Sequence, residues 1–113
     1  MNANAFVPDT GNIIWLNFTP QSGHEQAGRR PAVVLSPASY NKRSGLLVCV
    51  PITNQVKGYP FEVVLAGRGA TGAALADQVK NLDWLARNAE LKGQASLAEL
   101  VEIKAKIKVL LAL

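Results

Sequence analysis

The stretch LLVCVPIT, residues 46–53, is apolar from its first residue to the threonine that ends it. A continuous apolar run of this length, rich in β-branched residues, is typical of a strand that is buried on both faces. We therefore predict that residues 46–53 form the central strand of a sheet, and that the other elements of the fold assemble around it.

Four more segments carry β-branched and aromatic residues between Gly and Pro boundaries, and these predict further strands. They are residues 13–18 (IIWLNF), 31–36 (PAVVLS), 61–66 (FEVVLA) and 73–79 (AALADQV). The polar stretches between the strands predict loops at residues 19–30, 37–45 and 54–60. The stretch 80–94 is compatible with either a short helix or a final short strand.

The glycine pattern GRGATG, residues 67–72, matches the dinucleotide-binding fingerprint G-x-G-x-x-G. That fingerprint requires a strand, a helix and a second parallel strand in succession, whereas only irregular sequence and a terminal helix follow here. We therefore interpret residues 67–72 as a glycine-rich hairpin that leads into the strand at 73–79.

The C-terminal segment predicts a helix that packs on the sheet. Ser96 and Glu99 have the spacing of a capping box, and Glu102 and Lys106 form an i,i+4 pair. One apolar stripe is formed by Leu97, Leu100, Ile103, Ile107 and Leu110. Short strands, long polar loops and this helix predict a mainly β fold: a small antiparallel barrel or strongly bent sheet, with the helix covering one opening or face.

The chain has 113 residues, is 49% hydrophobic and carries a net charge of +4. This length and composition predict a single domain, residues 1–113, with its own core. The mild positive charge suits a polyanionic partner without requiring one. A lone cysteine cannot form an internal disulfide, the opening residues lack a signal-peptide pattern, and no apolar run is long enough to span a bilayer; we therefore expect a soluble cytoplasmic protein.

The loop GHEQAGRR, residues 23–30, combines groups suited to phosphate chemistry. Glu25 or His24 could accept a proton, and Arg30, at the start of a strand, could bind a phosphate through two N–H groups at once. A base and a guanidinium are the minimum for metal-free RNA cleavage, in which the 2′-oxygen displaces the 5′-oxygen. A solvated loop with an exposed Arg–Glu ion pair is the alternative, and such pairs are common.

Two residues of the central strand carry reactive groups. Thr53, at its polar end, either donates its hydroxyl to a phosphate oxygen or caps a turn. Cys49 lies between two valines, so we expect a buried apolar residue rather than a nucleophile partnered by His24. One His, one Cys and scattered carboxylates have no metal-ligand spacing, and we therefore expect no metal and no other cofactor.

Basic and aromatic residues are interleaved outside the apolar runs. Single-stranded nucleic acid is bound by cations at its phosphates and by aromatic faces at its bases, although an ordinary basic surface with aromatics reaching the core has the same composition. The residues are Lys42, Arg43, Lys57, Lys80, Arg87, Tyr40, Tyr59 and Trp84.

Three motifs in order resemble the MazF/PemK family of toxin endoribonucleases. They are E-Q-x-G-x-R-P at 25–31, V-P-x-T at 50–53 and D-Q-V-K at 77–80, and matching segments cover nearly the whole chain. The resemblance implies an SH3-like barrel with a C-terminal helix, a homodimer, and metal-independent, sequence-specific cleavage of single-stranded mRNA. The implied products carry a 2′,3′-cyclic phosphate and a 5′-hydroxyl, and the implied partner is an acidic antitoxin whose extended tail occupies the RNA groove.

The resemblance also implies roles for individual residues. Glu25 is the expected base, with His24 as the alternative; Arg30 is the main stabiliser of charge, and Thr53 contacts the scissile phosphate. Residues 54–60 match a loop that gates and reads RNA. The RNA contacts predicted in this way are Arg29, Asn41, Asn54, Lys57, Asp77, Gln78, Lys80 and Arg87.

One branch of the family has a catalytic arginine where this chain has Leu75, so the role of stabilising charge falls on Arg30 here. Two rival functions are kept. Toxins of the CcdB type share the fold but bind DNA gyrase through an aromatic C-terminal end, whereas this chain ends KVLLAL. A non-catalytic RNA-binding barrel would need the basic loops but not the set of Glu25, Arg30 and Thr53.

Overall fold

The computed structural model of the protein describes residues 6–18, 28–67 and 69–113, so the predictions for His24 and Glu25 lie outside the described residues. The described strands are β1 (Asn12–Asn17), β2 (Arg29–Val34), β3 (Leu46–Thr53), β4 (Glu62–Val64), β5 (Ala73–Leu75), β6 (Lys80–Asp83) and β7 (Glu90–Gln94). The described helices are α1 (Ala38–Ser44) and α2 (Leu97–Leu111). Neither of these two helices combines the length and apolar character that crossing a membrane requires.

β3 is the central strand, with the bounds that its apolar run predicts. One edge of β3 pairs with β2. The other edge is divided, because its first half pairs with β6 and its last two residues pair with β5. All of these pairings are antiparallel. Because β6 and β5 share one edge of β3, the central strand connects β6 to the β4–β5 hairpin.

The remaining strands extend the sheet in the order β4-β5-β3-β2-β1-β7. Side chains that alternate across these strands form two apolar clusters. One contains Val33, Val50 and Ile52 together with Leu100 and Ile103 of α2. The other lies on the opposite side of the sheet and is built around Leu16, Val34, Leu47 and Trp84. The prediction of a mainly β fold with a packed C-terminal helix is confirmed.

The N-terminus of α2 has the predicted capping box. The backbone N–H of Glu99 donates to the Ser96 hydroxyl at 3.1 Å, and the Glu99 carboxylate accepts from the Ser96 N–H at 2.8 Å. Leu100 and Ile103 are buried as predicted, but Leu97 is 77% exposed and Leu110 is 42% exposed, so the prediction for these two residues is wrong. The core contacts the helix only over the turns that carry Leu100, Ile103 and Ile107.

Several segments differ in part from their predictions: the strand predicted at residues 73–79 ends at Leu75, and the strand predicted at 61–66 spans only Glu62–Val64. Residues 37–45, predicted as a loop, contain α1, which ends at Gly45 in the left-handed conformation. The stretch 80–94 forms two strands, β6 and β7, joined by turns, so its strand interpretation is correct and its helix interpretation is wrong. β2 begins at Arg29 rather than Pro31, and both arginines are therefore fixed in the sheet opposite β1.

The glycines at 67, 69 and 72 lie in the connection between the paired strands β4 and β5, as predicted, and not at a helix N-terminus. Gly72 has a φ of +97° and packs against β3 so closely that a Cβ placed on it would lie 2.1 Å from the Thr53 carbonyl oxygen. A glycine at position 72 is therefore what allows the hairpin to approach the end of the central strand.

Candidate functional site

A cavity of about 350 Å³ opens beside the C-terminal end of β3. We call it the β3 cavity. Its lining combines a hydroxyl, two carboxylates, a cation, an aromatic ring and two side-chain amides. The lining residues are Thr53, Gln55, Lys57, Tyr59, Glu62, Leu75, Asp77 and Gln78. Thr53, Lys57, Asp77 and Gln78, which the sequence predicts as site residues, are thus brought together by the fold.

Arg30 approaches this end of β3 from the neighbouring strand. Ala32 of β2 and Pro51 of β3 form the last pair between these two strands, so Arg30 and Thr53 each lie two residues beyond that pair. Both side chains lie on the same face as the Ala32–Pro51 pair, because side chains two residues apart in a strand share a face. Arg30 is paired with Leu16 of β1, so its backbone is held in the sheet.

The Thr53 hydroxyl accepts a hydrogen bond from the backbone N–H of Gln55 at 3.1 Å. This is the turn-capping contact that the sequence offers as one alternative. It uses a lone pair of the oxygen and leaves the hydroxyl proton to be donated. Among the described residues no acceptor is bound to that proton, so the same geometry is compatible with donation to a phosphate oxygen.

Gln78 presents a second polar group to the β3 cavity. Its side-chain oxygen is buried and has no hydrogen-bond partner among the described residues. Buried polar atoms in proteins are nearly always paired, so this oxygen is an acceptor suited to a donor on a bound molecule. The adjacent Asp77 carboxylate is exposed and also lines the cavity.

Arg29 points into a different environment from that of Arg30. Its guanidinium donates to Glu90 at 2.7 Å, to Asn17 at 3.1 Å and to the Asn88 carbonyl at 2.9 Å. These contacts hold Arg29 against β7 on the protein surface, away from the residues that line the β3 cavity. A partly exposed ion pair of this kind contributes little to stability.

Lys80 and Arg87 lie near the buried thiol of Cys49. Lys80 is paired with Cys49 across β3 and β6, and the Arg87 guanidinium donates to the Asn17 carbonyl at 3.0 Å. The fold therefore places both cations beside the first half of the central strand, near Cys49. The exposed Asn54 follows directly after that strand.

Cys49 is expected to be unreactive. Burial raises the pKa of its thiol to about 12, although the nearby positive charges of Lys80 and Arg87 lower it in part. Because a thiol reacts as its thiolate, a disulfide reagent at neutral pH should label Cys49 only after urea unfolds the protein. The labelling reaction is measured by absorbance, and rapid labelling of the native protein would contradict the assignment of Cys49 to the core.

The prediction of an RNA contact at Asn41 is wrong. Asn41 is fully buried in α1, and its side-chain amide donates to the carbonyls of Pro8 and Ser36 at 2.8 and 3.1 Å. Its side-chain oxygen accepts from the Ser36 hydroxyl at 2.6 Å. Asn41 therefore fastens α1 to the core.

Trp84 is likewise a core residue rather than a stacking surface. Its indole N–H donates to the Asn41 carbonyl at 2.9 Å, and its ring belongs to the apolar cluster around Leu47. Tyr59, in contrast, is 59% exposed, and the Lys57 ammonium lies 5.9 Å from the centre of its ring. Of these two aromatic residues, only Tyr59 is placed to stack on a base.

Glu62 and Gln55 are cavity residues that the sequence reasoning missed. Glu62 was predicted only as part of a strand, although an acid inside an otherwise apolar strand is an available signal. Within residues 6–18, 28–67 and 69–113, no group of three or more His, Cys, Asp and Glu side chains is arranged as a set of metal ligands.

Comparison with known proteins agrees with this geometry. Residues 9–111 match the family described as PemK-like, MazF-like toxin of type II toxin-antitoxin system. The endoribonuclease toxin MazF of Escherichia coli K12 is 58% identical over 106 residues, which cover 94% of this chain and 96% of that protein.

Solved structures of MazF toxins are also similar to this chain. The crystal structure of MazF (Form-I) from Deinococcus radiodurans has a TM-score of 0.93 and 52% identity, covering 96% of this chain and all of that one. The MazE-MazF crystal structure (Form-II) from the same organism has a TM-score of 0.87 and 52% identity, covering 96% of this chain and 99% of that one. The chain belongs to the family of PemK-like and MazF-like toxins of type II toxin-antitoxin systems.

Proposed function

We propose that this protein is a toxin endoribonuclease that cuts single-stranded mRNA at specific sequences without a metal ion, and thereby inhibits translation and growth. Similarity over nearly the full chain to an endoribonuclease toxin supports the activity. The observation that supports the chemistry is the antiparallel β2–β3 pairing, whose last pair, Ala32 with Pro51, lies two residues from both Arg30 and Thr53, next to a polar cavity that Thr53 lines.

In the proposed reaction Glu25 removes the proton from a ribose 2′-hydroxyl, with His24 as the alternative base. The 2′-oxygen forms a bond to phosphorus, the bond from phosphorus to the 5′-oxygen breaks, and the 5′-oxygen takes up a proton. Arg30 stabilises the charge that develops on the phosphoryl oxygens, and Thr53 donates its hydroxyl to one of them. The products carry a 2′,3′-cyclic phosphate and a 5′-hydroxyl.

The anchoring of the loop that contains the base supports this arrangement. Its two ends are held together, because the Phe18 N–H donates to the Gly28 carbonyl at 2.8 Å and Asn17 pairs with Arg29. Phe18 and Gly28, the described residues on either side of His24 and Glu25, are therefore held close together near Arg30.

The lining of the β3 cavity supports the binding of an RNA strand. Lys57 supplies a cation for a phosphate, and the exposed ring of Tyr59 supplies a stacking face. Asp77 and the buried oxygen of Gln78 are acceptors that can read the amino groups of bases. Asn54 extends this surface directly after β3, Lys80 and Arg87 extend it beside the first half of β3, and Arg29 extends it at the start of β2.

We further propose that the chain is a single cytoplasmic domain, an SH3-like barrel, that acts as a homodimer. Its net charge of +4 suits an acidic antitoxin that competes with RNA for the same groove. The relatives from Deinococcus radiodurans, where MazE and MazF occur in one crystal structure, support a partner of this kind.

The test is to incubate the purified protein with a long, defined single-stranded RNA in excess EDTA, and to map the cut sites and their end groups. We expect discrete cuts that leave a cyclic phosphate and a 5′-hydroxyl. As a matched control, an RNA with a single 2′-deoxy nucleotide at one cut site should resist cleavage there alone, because the nucleophile is missing.

The same experiment separates the rival functions. Binding of RNA without cleavage, by protein that is folded and free of antitoxin, would favour the non-catalytic barrel. Neither binding nor cleavage, together with inhibition of gyrase, would favour the CcdB-like function. Cuts that disappear in EDTA would contradict the metal-free mechanism.

A further inference from the structure

Glu62 is a buried acid whose partners are all backbone groups of one loop. It begins β4 and is 8% exposed. Its carboxylate accepts a hydrogen bond from the Gly58 N–H at 2.8 Å, and both of its oxygens lie 3.1 Å from the backbone nitrogen of Lys57. Hydrogen bonds from N–H groups to a carboxylate are stronger than those between neutral groups.

The loop that Glu62 holds, residues 54–60, is exposed along its whole length and contains no helix or strand. It contributes Gln55, Lys57 and Tyr59 to the β3 cavity. Its beginning is capped by the Thr53 hydroxyl, and its end is held where the Glu62 N–H donates to the Tyr59 carbonyl at 3.0 Å. In the described chain, the carboxylate of Glu62 is what fastens the middle of the loop.

The foundation of this anchor is rigid. Glu62 is paired with Leu75 of β5, and β5 is paired with β3 at Ile52 and Thr53. The hairpin that carries Glu62 also leads directly into Asp77 and Gln78. One rigid unit therefore positions the acceptors on one side of the cavity and, through Glu62, the cation and ring on the other.

A negative charge in a groove for RNA would by itself weaken binding of the phosphate backbone. The Glu62 carboxylate accepts hydrogen bonds from two backbone N–H groups, and their partial positive charges offset part of its negative charge. Direct contact between Glu62 and RNA would be repulsive. The contribution of Glu62 to RNA binding is therefore through the loop that it holds.

We propose that Glu62 is a positioning residue for substrate recognition: its carboxylate sets the 54–60 loop so that Lys57 and Tyr59 face the RNA strand. The inference rests on the proposed ribonuclease function. Loss of the hydrogen bonds from the loop to Glu62 should weaken RNA binding and lower the sequence specificity of cleavage. It should leave the chemical step at Arg30 and Thr53 largely unchanged.

The variant Glu62→Gln keeps the size of the side chain and removes its charge. On an RNA oligonucleotide with one cut site we expect KM to rise on the order of tenfold, as for loss of hydrogen bonds to a charged group, with little change in kcat. Cut sites on a long RNA should broaden, and hydrogen exchange of the Lys57 and Gly58 amides should accelerate.

Two further variants make the test specific. Glu62→Asp keeps the charge but shortens the side chain, so it should behave like Glu62→Gln if reach to the loop is what counts. Glu99→Gln alters an equally buried acid, whose partners include the Ser96 and Ala66 N–H groups. It should lower stability in urea without changing KM or the cut sites.

The outcomes are separable. If the parent protein cuts RNA and Glu62→Gln matches it in KM and cut sites, the role of Glu62 is overturned while the proposed function stands. A fall in kcat at unchanged KM would place Glu62 in the chemical step and overturn the positioning role. If the parent protein cuts no RNA, both proposals fail together.

Discussion

Replacing Arg30 with alanine is expected to lower kcat by about 100- to 1000-fold, which is the loss seen when one preorganised donor to a transition-state oxyanion is removed. Arg30 lies in β2, where it is paired with Leu16 of β1, and β2 is paired with β3 from Ala32 onward. Its backbone is therefore fixed before substrate binds, and its removal should act on the transition state more than on binding.

The fold of the Arg30→Ala variant should be retained, with a change in unfolding free energy of about 1 kcal/mol or less, since Arg30 is only half-buried. Single-turnover cleavage and urea unfolding measure the two effects separately. Arg29→Ala is the matched control, because Arg29 is engaged with Glu90 on the surface and should influence kcat far less. Cleavage by Arg30→Ala at the parental rate would exclude Arg30 from the mechanism.

Gly72→Ala should destabilise the protein by about 3 kcal/mol, through strain at a positive φ and overlap with a fixed backbone atom. The new Cβ would lie 2.1 Å from the Thr53 carbonyl oxygen, a contact that only movement of the hairpin or of β3 can relieve. Because Thr53 would move with its carbonyl, cleavage should fall as well. Urea unfolding gives the stability and single-turnover cleavage gives the rate.

Gly67→Ala is the control for this change. Gly67 also has a φ of +91°, but a Cβ placed there meets no atom within 4 Å. It should therefore report the cost of the backbone conformation alone, and the difference between the two variants should report the close approach to Thr53. Equal losses of stability would mean that this approach contributes nothing.

The elements that the sequence predicts well are those whose burial shows as a pattern. The apolar run of β3 ends where Thr53 meets Asn54, and the structure ends the strand at the same place. Helix α1 has no such pattern: its only buried residue is Asn41, a polar side chain paired with groups far away in the sequence. A helix stabilised by such contacts cannot be found from periodicity.

The candidate site divides in the same way. The grouping of Thr53, Lys57, Asp77 and Gln78 agrees with motifs that can be read in the chain, because each motif follows or ends a strand that meets β3. The proposed role of Glu62 could not be predicted from the sequence, since its partners are backbone N–H groups, which every residue but proline possesses. For Trp84 the sequence left both a core position and a stacking surface open, because nothing local distinguishes a core tryptophan from an exposed one.

The pairing of β1 with β7 has a consequence for how the protein is made. β1 is the first strand to be synthesised, yet one of its edges is completed only by residues 90–94, at the far end of the chain. Since a domain folds as a unit, a partly made chain on the ribosome holds Arg30 in an unfinished sheet even after Thr53 and Gln78 have emerged. We expect the nascent chain to be harmless, so that the cell faces an active toxin only after its synthesis is nearly complete.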